Sequence, residues 1–503
     1  MIRLLCLVTG ARKEELLQVV YSFSALLFLL LSYYLIKPLR NSQFLKDFDP
    51  NYLPFLYLVI PLLSFIVTKT FNFFCDRMNK FTLIVRTYLL IMVCKVCFTW
   101  ILQYGGKPAT VIFFLWGSVY FLLALPTLWA CFNDFFLPQQ GERLFGFVQM
   151  GATVGGIVGS ILSGMVSRAE SLRPYATLIS AASMGIALIF LILASRLKQE
   201  HEKVEIEQTV VERSFWSDVI GLVRIRYVRS IAIMVTCLAC FTTSLDFLSQ
   251  KMIDQKMSQN QYRETFPELD SSTGLEGYKV VYSLKSMPDK EAEAAWEKYA
   301  VAHDVHDFQA RYKTYKAEVE SKIRAVLSDV SLYQGVVGMF MLTVVARWVF
   351  THLGLRMAVS ILPAFALLAL VAFSFPLEIL SVELILVFSG SFNYALNNAT
   401  KEILYSATSE ETKYKHKPLI EGPFMRLGDI TASILKLGTG ALAVAVAWTG
   451  DAGDRIFLAI TFSLVLIWWK AIVYAGKTYD TRRASFREKA PRLDGDEIGI
   501  SPS

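Results

Sequence analysis

Residues 174–218 read PYATLISAASMGIALIFLILASRLKQEHEKVEIEQTVVERSFWSD. Positions 174–195 carry no charged side chain. At 1.5 Å per residue, a helix of that length covers roughly 30 Å, the depth of a bilayer's hydrocarbon core. From Arg196 to Asp218 the composition turns to Lys, Arg, Glu and Gln, which belongs in water. The stretch reads as one membrane span followed by a polar linker. Outward from it, further apolar runs of spanning length fall at 18–40, 51–73, 81–103, 108–135 and 144–167 before the linker, and at 228–250, 330–351, 356–375, 378–402, 418–447 and 455–475 after it. The expected fold is an all-α integral membrane protein of roughly twelve transmembrane helices, six on each side of the linker. The whole chain agrees: of its 503 residues 54% are hydrophobic and 18% charged, less charge than a soluble chain of this size carries.

The expected organisation is a six-helix half over 1–195, a linker over 196–227, a second half over 228–475 interrupted by a polar helical insert at 251–329, and a basic tail at 476–503. The N-terminal MIRLLCLVTGARKEELLQ has too short an apolar run for a signal peptide, so the first span serves as the insertion signal. Basic residues cluster in 75–80 (CDRMNK), the linker, 403–417 and the tail, whereas the loops near 104–107, 376–377 and 449–454 have almost none. That asymmetry places both termini in the cytoplasm, expected at a bacterial inner membrane, and the insert on the opposite, extracytoplasmic side. The net charge of +7 reflects this rim and points to a lipid bilayer, not to nucleic acid. Six of the seven cysteines, Cys75, Cys94, Cys97, Cys131, Cys237 and Cys240, lie in or at the ends of apolar runs and read as packing residues. No Walker loop, metal cluster or nucleophile triad is visible, so neither an enzyme nor a cofactor is expected.

Two sets of six spans with a charged linker between them are the layout of major-facilitator transporters. A charge at bilayer depth costs about 2.5–3.5 kcal/mol on insertion scales and is a functional candidate by default. Four stand out: Lys37 in span 1, Asp134 at the end of span 4, Asp246 in span 7 and Lys401 at the end of span 10. Spans 1 and 7 are equivalent across the halves, as are 4 and 10, so each half offers one cation and one anion, the carboxylates balancing the lysines in an empty cavity. The alternative for Lys401, in the stretch SFNYALNNATKEILYSATSEETKYKHKPLIEGPFMRLGD (391–429), is a snorkelling helix end. Arg40 lies one turn beyond Lys37. Arg426 and Asp429 are spaced to pair on one helix face. Arg86, Lys95, Arg347 and Lys470 read as packing or snorkelling cations. Gly151, Gly155 and Gly159 have small-xxx-small spacing for close helix contact. In the insert, Trp296, Val305, Phe308, Tyr312, Tyr315, Val319, Ile323 and Val326 recur at helical spacing, which reads either as a helical cap over the outer mouth or as a solvated spacer.

Four segments carry a family resemblance: YYLIKPLRNS (33–42), SLDFLSQK (244–251), NNATKEILYSATSEETKYKHK (397–417) and, more weakly, CFNDFF (131–136). Together they resemble the ATP/ADP translocases, the nucleotide transporters of obligate intracellular bacteria and plastids. The resemblance implies functional roles for Lys37 and Arg40, for Asp246 and Lys251, for Lys401 and Glu402, and for Asn133 and Asp134. The chain departs from the family pattern at Asn41 (usually Asp), at Asp134 and Asp246 (both Glu), at the NNAT before Lys401, and in the length of the insert. The expected function is nucleotide exchange by alternating access, with ATP, ADP and phosphate as partners and Tyr34, Trp129 and Tyr394 as candidates to stack on a base. The alternatives are a proton-coupled transporter of nucleotides or another organic anion, and a non-transporting scaffold or sensor whose insert binds a protein partner.

Overall fold

The computed structural model describes residues 11–75, 77–136, 138–197, 221–287, 307–406, 420–447 and 452–489, with isolated positions between 291 and 303 and at 408. The linker over 198–220, most of the 403–417 loop, Trp296 and Val305 lie outside the described residues. All regular structure among the described residues is helical. Among the described residues, twelve helices are long and apolar enough to cross a membrane. They are span 1 (Leu16–Asp47), span 2 (Pro50–Phe71), span 3 (Phe81–Tyr104), span 4 (Gly106–Phe135), span 5 (Arg143–Arg168) and span 6 (Arg173–Arg196). The second set is span 7 (Arg226–Thr265), span 8 (Phe308–Val345), span 9 (Val349–Ala372), span 10 (Ile379–Tyr405), span 11 (Ile420–Ala445) and span 12 (Ala452–Thr481). The helical choice follows from the solvent, because lipid offers no partner to a backbone amide and each span must satisfy its own. Lipid-facing side chains accordingly stay apolar, as at Leu62, Phe65 and Leu90, all at least 60% exposed.

The structure redraws the insert. Span 7 runs for 40 residues, a rod of about 60 Å, twice the hydrocarbon depth. It therefore continues past the expected end at 250 into the segment read as insert. Span 8 begins at Phe308, not near 330. The apolar stripe of Tyr315, Val319 and Ile323 is fully buried as its spacing implies, but on a helix continuous with span 8. A separate helix, Pro267–Ser283, lies between them. Because the spans alternate in direction, this region sits on the face of the bundle opposite the chain ends, called here the far face. It packs on the same core as spans 7 and 8 through Phe266, Leu269, Val281 and Leu284.

Two main apolar clusters hold the bundle: one lies wholly within residues 11–194, and the other comes mostly from residues 222–475 with help from spans 1, 2 and 4. The glycine ladder of span 5 does what its spacing predicts. Gly151, Gly155 and Gly159 press on the backbone carbonyls of Phe23, Leu27 and Leu31 in span 1, and a methyl at Gly159 would stand 2.7 Å from the Leu31 oxygen. Span 11 repeats the device against span 7, where a methyl at Gly428 would lie 2.6 Å from the Ala239 Cβ. Spans 1 and 7, which carry the two central charges, are thus each clasped by a small-residue partner.

Candidate functional site

Lys37 sits where span 1 is weakest. Pro38 follows it inside the helix, supplies no amide hydrogen and leaves the carbonyl four residues back without its helical partner. Such breaks are tolerated at membrane depth where they line a cavity. A cavity of about 70 Å3 opens here between spans 1, 7, 8 and 10, lined by Lys37, Asn41, Asp246, Gln250, Ser331 and Gln334 among others. Across it, Asp246 lies within electrostatic reach of Lys37, Arg40 and Asp429. Tyr57 of span 2 donates to the Asp246 carboxylate at 3.4 Å. The Lys37 ammonium also stands 5.7 Å over the Tyr34 ring.

Arg40 is held in place by span 4. Its Nη1 donates to Ser118 at 2.9 Å, its Nε donates to Asn41 at 3.0 Å, and its guanidinium lies 4.7 Å over the Phe114 ring. The absence of a side chain at Gly117 makes room, since a methyl there would stand 3.1 Å from the Arg40 Cδ. Asp429 accepts from Thr243 at 2.7 Å and pairs with Arg426 at 3.0 Å, the three-residue pairing its spacing predicts. Three cations, Lys37, Arg40 and Arg426, therefore face two carboxylates at the centre of the bundle.

The other candidate residues stand elsewhere. Asn133 and Asp134 are exposed at the end of span 4. Lys401 forms an ion pair with Glu421 of span 11 at 3.0 Å, just beyond a π-helical turn at Asn393–Asn397, a distortion frequent at functional sites. Glu402 is exposed beside it. Lys251 pairs with Asp454 at 2.5 Å, and Lys436 shares that carboxylate. Spans 7, 11 and 12 are so tied in a charged knot apart from the cavity. Lys95 is fully buried, donating to Ser32 at 2.5 Å and Ser180 at 3.0 Å, and joins spans 1, 3 and 6. Trp129 packs edge-on to Phe132 and Phe145, whereas Tyr394 is 39% exposed.

The far face is shut by a polar seam. Span 8 meets span 5 through Ser328–Ser163 at 2.9 Å, Ser321 to the Ser167 carbonyl at 2.6 Å, and Asp329–Arg168 at 3.2 Å. Glu318 pairs with Arg173 at 3.0 Å. Toward span 1, Ser42 donates to Glu320 at 2.9 Å and Lys316 pairs with Asp47 at 2.9 Å. Behind this seam Lys285 is buried against Asp254 at 2.7 Å and donates to the Leu45 carbonyl at 3.0 Å. Lys107, in turn, donates to the carbonyls of Lys285 and Met287. Tyr57, Glu320, Arg324 and the Asp254–Lys285 pair do not stand out in the sequence. The last three lay inside the segment read as a separate insert, and the only signal for them was charge on a helical stripe.

No family model and no curated protein matches the chain. Among solved structures it is similar to a point mutant of the nucleoside transporter NupG, with a TM-score of 0.53 at 13% identity, covering 93% of this chain and 99% of that one. NupG itself gives 0.51 at 12% identity, covering 94% and 99%. An auto-inhibited peptide transporter of the POT family gives 0.50 at 13% identity, covering 92% and 97%. At these identities the likeness is one of fold: the chain has the twelve-helix architecture of major-facilitator-type transporters.

Proposed function

We propose that the chain is a secondary transporter that exchanges nucleotides, ATP against ADP and phosphate, by alternating access. The observation that carries this is Lys37 opposite Asp246 in a cavity between the two sets of spans, with Arg40 one turn away. A phosphate entering the cavity competes with Asp246 for the Lys37 ammonium, and the carboxylate takes the lysine back when the site empties. The shared fold with transporters, one of them for nucleosides, supports the reading. A cavity of about 70 Å3 holds roughly two waters, far below the ~300–1,000 Å3 of small-molecule sites. The bound state is therefore a wider one. In this reading Lys401 releases Glu421 for a phosphate near the other mouth, where Asp134 and Asn133 are exposed. Both termini are cytoplasmic, in a bacterial inner membrane, and the far face looks outward.

The test is uptake of labelled ATP into cells expressing the chain, with and without internal ADP. Lys37→Ala and Asp246→Ala are expected to lower exchange at least about tenfold, the first because it removes the cation that meets the phosphate and the second because it leaves Lys37 without its facing carboxylate. Undiminished exchange in both variants would reject the site. The place of Asp246 in a small cavity enclosed by four spans is the observation behind one further reading, in which it carries a proton with the substrate, although the Tyr57 hydroxyl donates to the ionised carboxylate and works against it. Collapse of uptake by a protonophore, with no need for internal counter-substrate, would select it.

A further inference from the structure

We propose that Arg324 is a second anion-binding residue, one that grips the charged group of the substrate only when the far-face seam is open. Arg324 lies on span 8 in register with Leu327, Ser331 and Gln334, which line the cavity. The spacing of three, four and three puts all four positions on one helix face, with Arg324 about one turn outward. It is 1% exposed, yet its Nε and Nη2 have no hydrogen-bond partner. The charges within its reach are Glu320 and Arg173. Glu320 is engaged by Ser42, and Arg173 is engaged by Glu318 and the Ser167 carbonyl. A guanidinium left this way is a standing cost in the closed state.

The two unpaired nitrogens are adjacent on one edge of the guanidinium, whose parallel N–H bonds fit two oxygens of a phosphate. Around Arg324 the seam is built from Ser42, Ser163, Ser167, Ser321 and Ser328. Hydroxyls exchange one another for water at little cost, so parting these contacts forfeits little net hydrogen bonding. Opening leaves Arg324 on the wall of the far-face vestibule, one turn outward of the cavity-lining Leu327 on its own helix, positioned to hold a phosphate beside the cavity. The assignment rests on the exchange reading for the identity of the substrate, but not for the existence of the anion site.

The full-length protein is reconstituted in vesicles, and the exchange KM for ADP is measured separately from each face. Arg324→Gln is expected to raise KM from the far face at least about tenfold and leave it unchanged from the chain-end face, with Arg324→Lys in between. A merely structural role would move both faces together, and that result or no change would overturn the proposal. In a second arm, Ser328→Cys is introduced with the native cysteines replaced and labelled from the far face by an impermeant thiol reagent. Inorganic pyrophosphate is expected to slow labelling when Arg324 is present and not in Arg324→Gln. Absence of labelling, or protection independent of Arg324, overturns the site. A wild type that exchanges no nucleotide refutes the function above, and the pyrophosphate arm still decides Arg324.

Discussion

Replacing Lys285 with Met tests how the far-face region is attached to the bundle. Lys285 and Asp254 have side chains 1% and 0% exposed, 2.7 Å apart. At an effective dielectric of about 20 their attraction is roughly 6 kcal/mol, most of it offset by several kcal/mol of lost hydration per ion. The pair therefore adds little net stability, but breaking it is costly. Lys285→Met leaves Asp254 buried with only the Tyr282 hydroxyl at 2.6 Å and Ser258 at 3.4 Å, and it removes the contact to the Leu45 carbonyl. Burial and the neighbouring Asp254 push the Tyr282 phenol up, so it stays a donor and cannot replace the missing charge.

The expected loss is about 3–5 kcal/mol, read as a fall in Tm of roughly 3–5 °C for a chain of this length. A thiol-reactive dye that reports exposure of the buried Cys131 and Cys240 measures it on detergent-purified protein. The double variant Lys285→Met with Asp254→Leu removes both charges and is expected to recover most of the loss. A single-variant shift below about 2 °C, or a double variant no better than the single, would refute the reasoning.

Three other outcomes follow from the packing. Gly155→Val drives a side chain into the Leu27 carbonyl of span 1, whereas Gly146 has nothing within 4 Å; the first is expected to abolish folded protein in a fluorescence size-exclusion assay and Gly146→Ala to leave it unchanged. Glu15 shows a pH dependence: burial pushes its carboxyl up, but hydrogen bonds from the Arg12 amide, Gln140 and Arg143 outweigh this and hold it below its usual 4.5. Its contribution is therefore present above that value and lost as pH falls through the lower folded one, so thermal melts of wild type and Glu15→Gln should differ near neutrality and converge in acid. Exchanging the charges of Lys401 and Glu421 (Lys401→Glu with Glu421→Lys) should restore transport if the 3.0 Å pair is only structural, and should leave it lost, as in Lys401→Ala, if Lys401 also meets the substrate.

Lipid made much of this legible in advance. A span must be apolar for about twenty residues, so the twelve helices stand out as runs, and a charge inside one, such as Lys37 or Asp246, stands out against them. Pairings within one helix turn, as at Arg426–Asp429, are also fixed locally. What stayed hidden crosses distance or polarity. Glu421 is twenty positions from its partner Lys401, and nothing local links them. Spans 7 and 8 extend into water, where hydropathy falls although the helix continues, so Asp254, Glu320 and Arg324 fall within the segment whose sequence reads as a polar insert. Their real setting, a polar seam against spans 1 and 5, is a tertiary property.

The charge count at the centre bears on the proposed transport. If Asp246 fully neutralised the cavity, the empty carrier would reorient freely and net flow without exchange would be permitted. The structure sets Lys37, Arg40 and Arg426 against Asp246 and Asp429, one carboxylate short. Among these five groups around the cavity, a bundle that closes empty therefore holds one more cation than carboxylate, at a cost of several kcal/mol, and a bound anion relieves it. That asymmetry favours exchange over net movement. Arg40 is the cation to change, because its contacts to Ser118 and Asn41 survive in part with glutamine while Lys37 keeps Asp246. Arg40→Gln balances the empty site, so it is expected to let labelled ADP leave preloaded vesicles with no external nucleotide, at a rate approaching that with nucleotide present. Wild-type efflux is expected to need the counter-substrate. Efflux from the variant that still depends fully on external nucleotide would show that something other than this charge couples the two directions.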